Sequence, residues 1–128
     1  MIYLDTSVAL AQLLAEKQQP PATLWSETLV ASRLLEYELW TRIHARSLAA
    51  SHGNAARALI GRMALLELAP PVLARALEPF PVPVRTLDAL HLASIEWLRG
   101  QRQSVELVSY DQRFLAAARA MNIPVAAI

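Results

Sequence analysis

The segment Ile2-Tyr3-Leu4 is an apolar run too short to be anything but a strand, and it ends at Asp5-Thr6-Ser7, after which Val8, Leu10, Leu13 and Leu14 recur at helical spacing. A short apolar strand that feeds straight into a helix N-terminus is the repeating unit of a parallel sheet, and the rest of the chain repeats it. Pro20-Pro21 opens a second short helix through Glu27, Leu29-Val30-Ala31 reads as the next strand, and Ser32 is placed to cap a long helix from about Arg33 to Ala50. A helix around Asn54 to Leu65 leads to the apolar stretch Leu66-Glu67-Leu68, and Pro70-Pro71 starts another helix through about Glu78. Phe80-Pro81-Val82-Pro83 must be extended, because each proline disfavours helix in the residue before it. Thr86 is the expected cap of a helix that carries Leu87, Leu90, Ala93 and Leu98 and stops near Gly100. Val105 to Ser109 is then a strand, Asp111 to Met121 a helix, and Pro124-Val125-Ala126 a last strand.

This alternation predicts an α/β fold, a central parallel sheet with helices on both faces. At 128 residues, the expectation is one domain over residues 1–128 with one active centre. The apolar fraction of 55% against 18% charged residues supplies a core and argues against disorder. The chain has no cysteine, which excludes disulfides, thiolate zinc sites, iron–sulfur clusters and cysteine nucleophiles, and fits a reducing cytoplasm. No apolar run reaches the roughly 18 residues of a membrane span, and the N-terminus lacks a signal-peptide layout, so the reading is a soluble, cytoplasmic protein with no membrane partner. The three glycines are too scattered for a phosphate-cradling loop. A net charge of +1 neither demands nor forbids a nucleic-acid partner.

In open parallel sheets, ligands bind beyond the carboxyl ends of the strands, where helix N-termini converge. The only aspartates, Asp5, Asp88 and Asp111, all map to that edge. Singly, each is explained by helix capping, since aspartate bonds free backbone N–H groups and complements the helix dipole. Three of three at one edge of one sheet points instead to a shared acidic site, because capping alone would use serine, threonine or asparagine equally well. Crowded carboxylates raise each other's pKa unless a cation is present, so the cluster calls for metal. Hard oxygen donors, with only His44, His52 and His91 as softer alternatives, suit Mg²⁺ or Mn²⁺ rather than zinc. Two such ions about 4 Å apart can activate water and stabilise the leaving oxygen of a phosphodiester. On the long helix Glu36 and Glu38 compete for a fourth place, and two positions apart only one can face the site. Glu38 borders the apolar stripe of Leu35 and Leu39 and is the choice; an ordinary surface pair with Arg42 would equally explain it.

These residues resemble the PIN-domain nucleases and, within them, the VapC-type toxins of toxin–antitoxin pairs. The resemblance rests on Ile2-Tyr3-Leu4-Asp5-Thr6-Ser7, on Ser32 to Glu38 with Arg42, on Thr86-Leu87-Asp88-Ala89-Leu90-His91-Leu92-Ala93, and on Leu107-Val108-Ser109-Tyr110-Asp111 followed by Ala117, Ala118 and Asn122-Ile123-Pro124-Val125. It covers the chain in order. It implies a PIN-like three-layer α/β/α sandwich and a Mg²⁺- or Mn²⁺-dependent endoribonuclease acting on RNA. It also implies neutralisation by a cognate antitoxin, and a homodimer. Asp5, Glu38, Asp88 and Asp111 take the four acidic positions, as catalytic residues and metal ligands. Ser109 stands where threonine is common and keeps the hydroxyl.

Thr6 and Ser7 could orient a water or phosphate near Asp5 and are equally good capping residues. His91 shares a helical face with Asp88, but its apolar neighbours fit a packed, hydrogen-bonded histidine. Glu96 is expected to be solvated, and Trp25, Trp40 and Trp97 to serve core or interface, with at least one meeting a partner. Arg85 and Arg113 are candidates for steering RNA phosphate, against a default of solvated arginine. Phosphotransfer or dehalogenase chemistry on Asp5 wants a second aspartate two residues on, where the chain has Ser7, and a receiver domain wants a late lysine, whereas Lys17 is early. A binding module with a vestigial acidic cluster is the alternative from a different class, as is a PIN nuclease outside toxin–antitoxin biology.

Overall fold

The computed structural model describes residues 1–128. Strand β1 (Ile2–Leu4) runs into helix α1 (Thr6–Leu13), and a 3₁₀ turn over Ala22–Ser26 leads to β2 (Leu29–Ser32) and α2 (Arg33–Ala45). Helix α3 (Ala49–Ile60), β3 (Ala64–Leu66), α4 (Pro70–Ala76), α5 (Thr86–Gly100), β4 (Glu106–Val108) and α6 (Gln112–Ala120) follow. The four strands form one sheet in the order β3-β2-β1-β4, with every pairing parallel.

Strand residues alternate between faces, and this divides the core in two. Leu4, Ala31 and Val108 join Val8 of α1, Leu35, Leu39 and Ile43 of α2, and Ala56 and Leu59 of α3. Their neighbours Tyr3, Val30 and Leu107 turn to the other face, against Leu92, Ile95 and Leu98 of α5 and Phe114, Leu115 and Ala118 of α6. The predicted three-layer α/β/α sandwich with its central parallel sheet is therefore what the chain adopts. No helix is long and apolar enough to cross a membrane.

Several boundaries differ from the sequence reading, each for a reason in the packing. The long helix stops at Ala45, the chain turns through Ser47 in the left-handed region (φ 54°), and α3 starts at Ala49 rather than near Asn54. A continuous helix would carry Ala56 and Leu59 away from the sheet; the turn lets them join the core that holds Ile43. The third strand is Ala64–Leu66, because Val30, Ala31 and Ser32 pair with Ala64, Leu65 and Leu66, and Glu67 leaves the sheet to bond Arg33. The second helix is only the 3₁₀ turn, and the last strand shrinks to a bridge between Leu107 and Val125. Thr86 is the first residue of α5, whose N-cap position is Arg85 and carries no side-chain bond.

Ser32 does cap α2: its hydroxyl oxygen accepts from Leu34 N–H at 3.1 Å, and the residue is fully buried. Ser32→Ala leaves that N–H without its partner, so a loss of about 1–2 kcal/mol is expected in urea unfolding. A change within a few tenths of a kcal/mol would mean that the bond contributes nothing.

Candidate active site

In the order β3-β2-β1-β4, the chain steps from β1 to β2 and β3 on one side and then crosses back to place β4 on the other, so the carboxyl ends of β1 and β4 flank the topological switch point. Asp5 stands immediately after β1, and its N–H donates to the carbonyl of Val108 in β4 at 3.1 Å. The hydroxyls of Ser7 and Ser109 both donate to Asp5 Oδ2, each at 2.6 Å. Those same hydroxyl oxygens accept from the backbone N–H groups of Tyr110 (3.0 Å) and Asp111 (2.9 Å). The turn after β1 is thereby stitched to the turn after β4. Asp5 occupies the N-cap position of α1 but makes no capping bond with its side chain.

Glu38 reaches the site from α2, whose Leu35 and Leu39 are fully buried in the core and fix its rotation. Its Oε1 accepts from the Thr6 hydroxyl at 3.0 Å and lies 2.6 Å from His91 Nε2. Glu36 faces elsewhere and pairs with Arg33 at 2.9 Å. The expected alternative, a Glu38–Arg42 pair, does not form; both side chains instead line the same cavity.

Asp111 serves two purposes. Its Oδ1 accepts from the N–H groups of Arg113 (3.0 Å) and Phe114 (3.1 Å), capping α6, while Oδ2 lies 3.2 Å from Arg85 Nη2. Arg85 Nε in turn donates to Asp88 Oδ2 at 3.2 Å, so one guanidinium bridges two aspartates. The Arg85 side chain remains 58% exposed while it makes both contacts. Glu96, read as solvated, is ion-paired with Arg75. Of the tryptophans, Trp25 and Trp40 pack on one core and Trp97 on the other, and Arg57 stacks over Trp40 at 5.2 Å.

Asp5, Thr6, Glu38, Arg42, Arg85 and Asp111 are among the walls of one cavity of about 400 Å³. Asp88 is not a wall of it and joins the group through Arg85. Larger clefts lie between α4 and α5 and at the opposite end of the sheet, but no titratable side chain lines either. The acids feel one another. Burial raises the Asp88 carboxyl above the ordinary range, the charges of Asp111 and Asp5 add to the rise, and Arg85 opposes it. The bonds to Asp88 hold the Arg85 guanidinium more firmly protonated than usual. Burial, and then the charge of Asp5, push the Tyr3 hydroxyl far up.

The raised Asp88 carboxyl fixes the sign of a pH effect. The folded chain binds this proton more tightly than the unfolded chain, so stability falls as pH rises from the ordinary aspartate value, about 3.9, toward the folded one. Asp88→Asn removes that cost. In chelator at pH 7 the variant is expected to be as stable as the parent or more so, and to lose this pH dependence in urea unfolding. A clear loss of stability there would make Asp88 a structural residue of α5.

The donor set is all hard oxygen. Asp5 Oδ2, Glu38 Oε1 and Asp88 Oδ2 are each held by the protein, whereas Asp5 Oδ1, Glu38 Oε2 and Asp88 Oδ1 take no bond from it. One pinned and one free oxygen on each of these three carboxylates fits a hydrated Mg²⁺ or Mn²⁺ site, whereas both oxygens of Asp111 are already engaged, one by the α6 N-terminus and one by Arg85. No three acids enclose a common point closely enough to bind an ion by themselves. Mg²⁺ ordinarily retains several waters and uses one or two carboxylates, so it does not need three acids at one point.

A parallel α/β sandwich with carboxylates gathered at its switch point defines a class of acidic-site domains. Residues 2–120 match the PIN domain model, and the chain belongs to the PIN domain family. Ribonuclease VapC47 of Mycobacterium tuberculosis is 32% identical over 126 residues, covering 93% of this chain and 90% of its own. The fold is also that of one chain in a toxin–antitoxin complex from Klebsiella pneumoniae (TM-score 0.69, 14% identity, 94% of each chain). It is shared by M. tuberculosis VapC20, described as a sarcin–ricin loop cleaving toxin (TM-score 0.62, 20% identity, 91% of this chain and 95% of that one).

Proposed function

We propose that this chain is a metal-dependent endoribonuclease and the toxin of a type II toxin–antitoxin pair, with Asp5, Glu38, Asp88 and Asp111 as its catalytic and metal-binding set. The observation that carries this reading is the meeting of Asp5, Glu38 and Asp111, from three distant parts of the chain, in one cavity, with Asp88 tied to Asp111 by Arg85. The 32% identity to a ribonuclease over most of both chains supports the choice of RNA. The likeness to a toxin–antitoxin complex supports a cognate antitoxin, and the family resemblance supports a homodimer.

The four acids would hold Mg²⁺ or Mn²⁺. Bound there, two such ions would make an attacking water more acidic and supply a counter-charge for the leaving oxygen of the phosphodiester. Ser7 and Ser109 fix the Asp5 carboxylate from one side, and Thr6 does the same for Glu38. Arg85 and Arg42 place guanidinium groups at the cavity, and their forked donors match phosphate oxygens.

The test is cleavage of total RNA by protein purified free of any antitoxin. Activity with Mg²⁺ or Mn²⁺, lost in EDTA and regained when metal is returned, is the expected result. Folded protein that cuts no RNA with either metal would favour the binding-module reading.

A further inference from the structure

Behind Glu38 lies a pair of buried side chains that the acidic site alone does not require. His91 on α5 is 2% exposed and Tyr3 on β1 is fully buried. His91 Nε2 lies 2.6 Å from Glu38 Oε1, and its Nδ1 lies 2.8 Å from the Tyr3 hydroxyl. The imidazole also meets two aromatic rings edge-on, Tyr3 at 6.1 Å and Phe114 at 6.0 Å between centroids. Both nitrogens are thus committed to side chains, one of which opens onto the cavity.

We infer that Tyr3 and His91 are positioning residues that set the orientation of the Glu38 carboxylate for metal binding; this rests on the metal-dependent reading above. A carboxylate only accepts hydrogen bonds, so His91 must carry its proton on Nε2 to bond Glu38. In the neutral ring Nδ1 is then the acceptor, and the Tyr3 O–H, donating to it, favours that tautomer. With the Thr6 hydroxyl as second donor, both bonds fall on Oε1, and Oε2 is left to the cavity. Glutamate has three side-chain torsions and would otherwise sample many positions. Anchoring one oxygen from β1 through α5 fixes where the other stands. A histidine that merely filled core would need no bond to a residue lining the site.

Metal-supporting residues of this kind typically contribute 10- to 100-fold in metal affinity. The experiment is Mn²⁺ titration by electron paramagnetic resonance on the full chain, for the parent, Glu38→Gln, His91→Leu, His91→Gln and Tyr3→Phe, with circular dichroism as the check of folding. Glutamine can offer an amide N–H near the place of Nε2, whereas leucine offers no donor. His91→Leu is expected to weaken Mn²⁺ binding by roughly 10- to 100-fold. His91→Gln should recover most of it, and Tyr3→Phe should fall between. A folded His91→Leu that binds Mn²⁺ as the parent does overturns the inference. If leucine prevents folding, nitrogen-15 NMR of the parent decides: a proton on Nδ1 instead of Nε2 refutes the positioning role. A parent that binds no Mn²⁺ removes the metal reading itself and the inference with it, whereas a Glu38→Gln variant that binds Mn²⁺ equally well removes Glu38 from the ligands and overturns the inference alone.

Discussion

Asp5→Asn is expected to lower RNA cleavage by more than about 100-fold, beyond what a residue acting only through a ligand contributes, while leaving the protein folded. The reason lies in how Asp5 is held. Its Oδ2 accepts from Ser7 and Ser109, and an asparagine carbonyl can accept from the same two hydroxyls without rearrangement. The stitch between the turns after β1 and β4 survives, and what disappears is one negative charge and one anionic oxygen facing the cavity. Cleavage measured under saturating Mn²⁺, beside circular-dichroism melting curves, separates the two effects. An active variant would remove Asp5 from the site, and a variant with collapsed stability would make its role structural.

Phe114→Ala should be the most damaging of the substitutions considered to stability, costing about 3–5 kcal/mol. The ring is 1% exposed, sits in the core beneath α5 and α6, and meets His91 edge-on. Domains of this kind are stable by about 5–15 kcal/mol in all, so the variant is expected to retain little margin at 37 °C. Urea unfolding read by far-UV circular dichroism gives the number. A loss below about 1 kcal/mol would mean that the surrounding leucines close the cavity left behind.

The sequence made the sheet and its helices legible because the signals there are local. An apolar run of three or four residues cannot bury itself as a helix, and Pro70-Pro71 can only begin one. The break at Ala45 carried no such mark. Arg46-Ser47-Leu48 has neither glycine nor proline, and the turn is imposed by the need to bring Ala56 and Leu59 back to the sheet. At the site, the edge on which the aspartates would lie followed from β1 and β4. Glu38 could be separated from Glu36 because helix geometry sends residues two apart in different directions. Arg85 pairs with Asp88 at an ordinary i,i+3 spacing, but its reach to Asp111 at the start of α6 crosses a distance along the chain that no spacing rule covers. Tyr3 could not be read either: in a strand it looks like core, and only the packing of α5 against β1 turns its hydroxyl into a neighbour of His91.

The guanidinium of Arg85, straddling two aspartates, has a consequence for how the protein would take up its ions. Folding need not await them, because part of the acidic charge is already balanced from within. Uptake at Asp88 and Asp111 would then be an exchange, an external cation taking the place of an internal one. The net affinity would be the difference between the two, weaker than the carboxylates alone would give. The arginine so released, still tethered beside the acids, would have its donors free for an arriving polyanion.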